Sequence, residues 1–178
     1  PPGLGARPLV SQGCRPVGEP MTVTSSEGNL LRTLGGRPAL ARLQAISEAA
    51  APSERALLSR GLHVGLVVDE HREVFGSGDF LIRGVLGADR TTGAVAIGDH
   101  APIGSTVQFQ VRDADAASAE LRQLAAAWRA DSALVFTCNG RGTHLFGRPG
   151  PDAEAPVDGL GDTDVGGMFC AGEIGPIG

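Results

Sequence analysis

The sequence predicts an α+β fold: a mixed, largely antiparallel sheet with three to four helices packed on it. Three observations lead there. Short apolar runs bounded by turn residues recur along the chain, and Thr106–Arg112 alternates cleanly between apolar and polar side chains. Two stretches, 39–48 and 116–129, carry helical periodicity instead. The strands do not alternate regularly with helices, as a doubly wound parallel sheet would require.

Residues 1–8 are rich in Pro and Gly and show no periodicity. They read as an incoming linker to a domain over 9–178. Leu9–Cys14 suggests a short strand closed by Arg15-Pro16. Met21–Thr24 and Asn29–Leu34 suggest a strand pair around the turn Ser25–Gly28. Pro38 starts a helix with Leu40, Leu43 and Ile46 on one face, and Pro52–Leu58 makes a second, shorter one. His63–Val68 reads as a buried strand. Phe80–Leu86 and Ala94–Ile97 form a hairpin about the polar turn Ala88–Gly93. Thr106–Arg112 is expected to be half exposed. Asp113 or Asp115 caps a helix from Ala116 to about Arg129, with Leu121, Leu124 and Trp128 on its apolar side. Ala133–Thr137 and Val165–Ala171 are the last strands. Between them, a short helix is expected to run to Phe146, and the acidic stretch Asp152–Asp164 reads as another short helix followed by a solvated loop.

Composition removes several functions. The chain has 178 residues, enough for one domain or two very small ones with a real core. Its net charge of −5 and pI near 5.3, without a basic cluster, argue against nucleic-acid binding. All fifteen basic residues are Arg and there is no Tyr, so a Schiff-base lysine, a P-loop lysine and a tyrosine acid are impossible. Apolar runs such as 61–68 are too short to span a bilayer, and the chain does not open on a signal peptide. Three widely spaced cysteines fit neither a disulfide framework nor a zinc ribbon, which points to a reducing cytoplasm.

Three segments share a pattern: Gln12–Pro16, Cys138–Gly142 and Cys170–Pro176. Each sets a Cys near a strand end, a Gly beside it and a charged side chain within three positions. Glycine there lets backbone approach a ligand closely, and exposed N–H groups can hold an anion. Arg15 and Arg141 can grip a carboxylate, Asn139 can donate and accept, and Glu173 suits an ammonium. With Gly13, Cys14, Cys138, Gly140, Gly142 and Gly172 shaping the walls, these residues describe a pocket for a small zwitterion such as an amino acid. The alternative is structural: glycines that only turn the chain, Arg and Glu that pair internally, and cysteines that pack as small apolar groups. No two of His63, His71, His100 and His144 have the spacing of a helical metal pair, so no metal site is expected. No catalytic residue is assigned, although Cys138 or Cys14 could act as a nucleophile if a base lay nearby in space. His144, just past the glycine-rich element, is the residue that would reach a haem iron. Apart from that, no cofactor is expected.

Gln12-Gly-Cys-Arg-Pro-Val-Gly-Glu-Pro20, Phe136-Thr-Cys-Asn-Gly-Arg-Gly142 and Gly172-Glu-Ile-Gly-Pro176 resemble, in order and spacing, the C-terminal half of a FIST domain of actinobacterial type. The resemblance implies a bacterial sensory module for small ligands, with amino acids the usual suggestion. It stands alone or is joined to signalling output domains, and some members are linked to haem and nitric oxide sensing. It further implies that the family's N-terminal half precedes Pro1 and that a last strand follows Gly178. A pocket shared between the halves would then be incomplete here, and an open sheet edge would favour pairing with the N-terminal half, a signalling protein or a second copy.

Overall fold

The structure is a computed structural model, which describes residues 3, 5–76, 78–161, 163–171 and 175–176. The chain divides into two compact units. One is Cys14–Arg112. The other joins Pro1–Gly13 to Asp113–Ile177.

The first unit is a closed antiparallel sheet. Its strands are β1 (Cys14–Glu27), β2 (Leu30–Leu34), β3 (Arg37–Pro38), β4 (Leu62–Val67), β5 (Phe80–Ala88), β6 (Val95–Ile97) and β7 (Thr106–Arg112), with helices α1 (Ala39–Ala49) and α2 (Pro52–Arg60) between β3 and β4. The strand order is β1-β7-β4-β5-β6-β2-β3, and β1 pairs a second time with β2, which closes the ring. Length and a bulge let β1 do both. Cys14–Thr22 pairs with β7 and Val23–Glu27 with β2, with the ladder to β7 shifting register between Val17 and Met21. Pro20, which has no N–H to give a ladder, falls inside that shift, where proline is tolerated and a bulge bends the strand. The Gly18 carbonyl that loses its ladder position accepts from Gln108 Nε2 at 2.6 Å.

Closure gathers the apolar faces of all these strands inside. Leu31, Leu34, Val64, Val95, Ile97, Val107, Phe109 and Val111 form the core, and Leu40, Leu43 and Ile46 of α1 pack on it as the helical spacing predicts. The sequence reading of Thr106–Arg112 as half exposed does not hold: Val107–Val111 are buried without a break. Gln108 and Gln110, on the opposite face from Val107, Phe109 and Val111, are buried as well, so both faces of the strand are covered. The short strand expected over Leu9–Cys14 is also absent, since residues 9–13 carry no regular structure and the strand begins at Cys14.

The second unit contains α3 (Ala114–Ala126), β8 (Ser132–Cys138), α4 (Thr143–Phe146), α5 (Pro151–Leu160) and β9 (Asp164–Cys170). Asp113 is the cap of α3; its carboxylate accepts from the N–H groups of Asp115 and Ala116. The helix ends before Trp128, whose ring instead lies 4.0 Å from the Arg7 guanidinium. β8 and β9 form a separate two-stranded parallel sheet, so the parallel component is not part of the antiparallel one. Leu134, Phe136 and Met168, on one face of it, are exposed.

Two expectations test the closed sheet. Phe109→Ala empties the centre of the core and should destabilise this unit by about 3–5 kcal/mol, measured by chemical denaturation. His63, on β4, has its pKa held below 6.5 by burial first and by the charge of Arg112 second, with the Gly61 carbonyl opposing. The unfolded chain therefore takes up this proton first as pH falls. The His63 contribution to stability is complete above about pH 6.5 and declines below it, toward the folded pKa. His63→Gln should flatten the fall in denaturation midpoint between about pH 7 and about pH 5; an unchanged slope would locate the effect elsewhere.

Candidate functional site

Arg141 is the organising side chain of the second unit. β8 delivers it through the turn Cys138–Gly142, in which the Arg141 N–H donates to the Cys138 carbonyl and the Asn139 N–H to the Cys170 carbonyl, both at 2.9 Å. The side chain turns inward and is 9 % exposed. Its Nε donates to both oxygens of Asp152, at 3.0 and 2.9 Å, and its Nη2 donates to Oδ1 at 2.6 Å. Thr137 Oγ1 donates to Asp152 Oδ2 at 3.4 Å. Asp152 sits in the first turn of α5, where the helix dipole favours a carboxylate. The third nitrogen, Nη1, is buried and has no hydrogen-bond partner among the described residues. It abuts Gly13: a Cβ there would collide with Nη1 and lie 3.0 Å from Ala117 Cβ. With φ at +66°, the position is one that glycine takes without strain. The Gly13 N–H and the Ser11 hydroxyl both donate to Glu120 Oε2, at 3.1 and 2.6 Å. A buried, unspent cationic N–H and a carboxylate thus flank the same short segment.

On its other side the Arg141 guanidinium faces the Phe146 ring, 5.4 Å from its centroid. Phe146 in turn lines an open cleft of about 420 Å³, together with Ala114, Asp115, Ser118 and Arg122 of α3, Arg148 of the loop after α4, and Pro151 at the start of α5. Arg148 is held by Glu154 through two hydrogen bonds of 2.8 and 2.7 Å, and that contact lowers the pKa of the Glu154 carboxyl and raises that of Arg148. Arg122 is exposed and reaches Glu154 only electrostatically. The cleft therefore offers an accessible guanidinium, a hydroxyl, a carboxylate and one aromatic wall.

The structure brings Gly13 and Arg141 together, and sets Cys138 beside Cys170 across the β8–β9 ladder. Gly140 and Gly142 shape the turn, and Gly142, at φ +57°, lies against the Phe169 ring. Asn139 is exposed. Cys14 and Arg15 belong to the first unit, where Arg15 pairs with Glu54 at 2.8 Å. Gly172 and Glu173 lie outside the described residues. His144 is exposed on α4 and is not part of the cleft lining. Among the described residues no group of three or more His, Cys, Asp or Glu side chains could hold a metal ion, and no helix is long and apolar enough to cross a membrane.

Sequence reasoning placed Asp152 at the start of the expected short helix, which the structure has as α5, but missed its role, because nothing local marks which of several acids is buried. It also missed Ser118 and Arg122. Their signal was present: Asp115, Ser118 and Arg122 are spaced i, i+3, i+7 and share one face of α3.

Removing one partner of the buried pair should be costly. Asp152→Ala leaves the guanidinium uncompensated and should lose about 3–5 kcal/mol of stability, whereas Arg141→Met combined with Asp152→Leu should recover most of it. The single tryptophan, Trp128, lies in this unit and reports its unfolding by fluorescence. Wild-type stability in Asp152→Ala would show that the pair is solvated.

Comparison with known proteins bears out the family and corrects one expectation: Gln12–Pro20, read as part of the C-terminal half, falls in the N domain match. The FIST C domain family matches residues 39–176 and the FIST N domain family matches residues 2–37. The chain is 52 % identical over 182 residues to "Uncharacterized protein Rv0628c" of Mycobacterium tuberculosis strain H37Rv, covering 99 % of this chain and 48 % of that protein. It is equally similar to "Uncharacterized protein Mb0898c" of Mycobacterium bovis, of which it covers 47 %. The chain thus spans about half the length of the curated relatives it matches. No solved structure matches it. The junction between the two family matches falls inside the closed sheet, because β1 and β2 lie in the first match and their partners β7 and β6 in the second. The chain belongs to the FIST family.

Proposed function

We propose that this chain is a non-catalytic sensory module whose cleft on α3, α4 and α5 binds a small zwitterionic or anionic metabolite, with amino acids the leading class. FIST domains are generally regarded as sensory, signal-transduction domains. The observation that carries the ligand reading is the cleft. Its volume of about 420 Å³ suits a small molecule. Arg122 is available to a ligand carboxylate, Asp115 to an ammonium, Ser118 to either, and Phe146 to an apolar side chain. Among the described residues the lining holds no His or Cys to pair with Ser118 or Asp115 as nucleophile or base.

The buried pair gives such a site a route to a response. Phe146 contacts both the cleft and the Arg141 guanidinium, so a ligand that moves the ring also alters the surroundings of the one unspent nitrogen. The signalling partner is a second protein, or the remainder of a chain as long as the mycobacterial relatives.

Calorimetry with a panel of amino acids and simple dicarboxylates tests this. Binding by at least one member is expected, and Arg122→Ala should weaken it about tenfold or more, the loss of one charge-assisted hydrogen bond. Because Arg122 is exposed, the variant should keep wild-type stability. No heat with any member, or affinity unchanged in Arg122→Ala, counts against the cleft.

A further inference from the structure

The sequence singled out three cysteines at strand ends, and none of them lines the cleft. The structure places two of them together. β8 and β9 run parallel and in unbroken register, from Ser132 opposite Asp164 to Cys138 opposite Cys170. Paired strands lie about 4.8 Å apart. The Cα atoms of Cys138 and Cys170 are therefore separated by roughly that distance, within the window of about 4.4–6.8 Å that disulfides occupy. Parallel register also sends the two side chains to the same face of the sheet. Both residues are half-buried thiols at the last position of their strands.

Each sulfur has a contact within its own stretch of chain. Cys138 Sγ accepts from the Gly140 N–H at 3.2 Å, which draws it forward along β8. Cys170 Sγ lies 3.9 Å from the Met168 carbonyl, which draws it back along β9. Both are sulfur contacts, which are weak, so neither fixes its side chain strongly.

We propose that Cys138 and Cys170 are an oxidation site: a thiol pair that closes into a reversible intrachain disulfide when a hydroperoxide is present. One thiolate attacks the peroxide. An S–O bond forms, the O–O bond breaks, and the leaving hydroxide takes up the thiol proton as water. The second thiol then attacks the sulfenic sulfur, an S–S bond forms, the S–O bond breaks, and a second water leaves. Two thiols lose two electrons in all, and one hydrogen peroxide becomes two waters. Closure takes Cys138 Sγ off the Gly140 N–H, at the head of the turn that aims Arg141. The oxidation state of the pair therefore acts on the turn Cys138–Gly142. The inference stands apart from the ligand reading, because it needs neither the cleft nor a bound molecule.

Peptide mapping of the whole wild-type chain tests it. The protein is treated with a small excess of hydrogen peroxide, quenched with iodoacetamide and digested with trypsin without reductant. Cleavage after Arg129 and Arg141, but not at Arg148-Pro149, places Cys138 in peptide 130–141 and Cys170 in peptide 142–178. The expected product is those two peptides joined, in protein that stays monomeric on a non-reducing gel, with Cys14 alkylated throughout. Dithiothreitol should separate them. Cys14→Ser should leave the product intact, and Cys170→Ser should abolish it while exposing a dimedone-reactive sulfenic acid at Cys138. Oxidation that ends in sulfinic or sulfonic acid at either residue, or in links to Cys14 or to a second chain, with no 130–141 to 142–178 product, overturns the proposal.

Discussion

Taking Arg141 and Asp152 out of water costs several kcal/mol for each charge, and the second unit recovers that only through geometry. The guanidinium presents its Nε–Nη2 edge to the carboxylate, Thr137 adds a donor to the same acid, and the dipole of α5 favours the negative charge at its first turn. Everything else in the unit is arranged around this pair. The turn after β8 must deliver Arg141, α5 must start where Asp152 can meet it, and Gly13 must lack a side chain for Nη1 to fit. What the pair leaves over is one buried nitrogen, Nη1, whose N–H groups have no hydrogen-bond partner among the described residues.

The first unit rests on a different principle. Its stability is apolar and collective: a ring of antiparallel strands closed around a core in which Phe109, Leu31 and Leu34 are fully buried. Ion pairs such as Arg15 with Glu54 and Arg83 with Asp99 are only partly buried there. A chain that concentrates its core in one unit and its buried charge in the other separates scaffold from site.

Much of this was legible from periodicity. The hairpin at 80–97, the apolar face of the first helix and the cap at Asp113 follow from local patterns, and the structure has them. Ring closure was not legible, because it depends on β1 pairing with strands both near and far in the chain, and a bulge at Gly18–Pro20 looks in sequence like the end of a strand. The buried state of Val107–Val111 was hidden for a similar reason: alternation reports one covered face, and the polar positions Gln108 and Gln110 do not announce that theirs is covered too. At the candidate site, the glycines and Arg141 announced themselves by composition. The identity of its partner did not, since Asp152 differs from its acidic neighbours only in what α5 turns inward.

The bulged strand β1 has a consequence for how the family is dissected. Residues matched to the FIST N domain supply two adjacent staves of a ring whose other staves are matched to the FIST C domain. A cut between the two matches, made because the names suggest two modules, would unzip the ring at β1–β7 and at β2–β6 and leave four raw strand edges to find partners elsewhere. The natural seams lie instead at Gly13–Cys14 and Arg112–Asp113, where the chain enters and leaves the ring. In this architecture the ring behaves as an insertion within the second unit, and the boundary of similarity and the boundary of folding are different places.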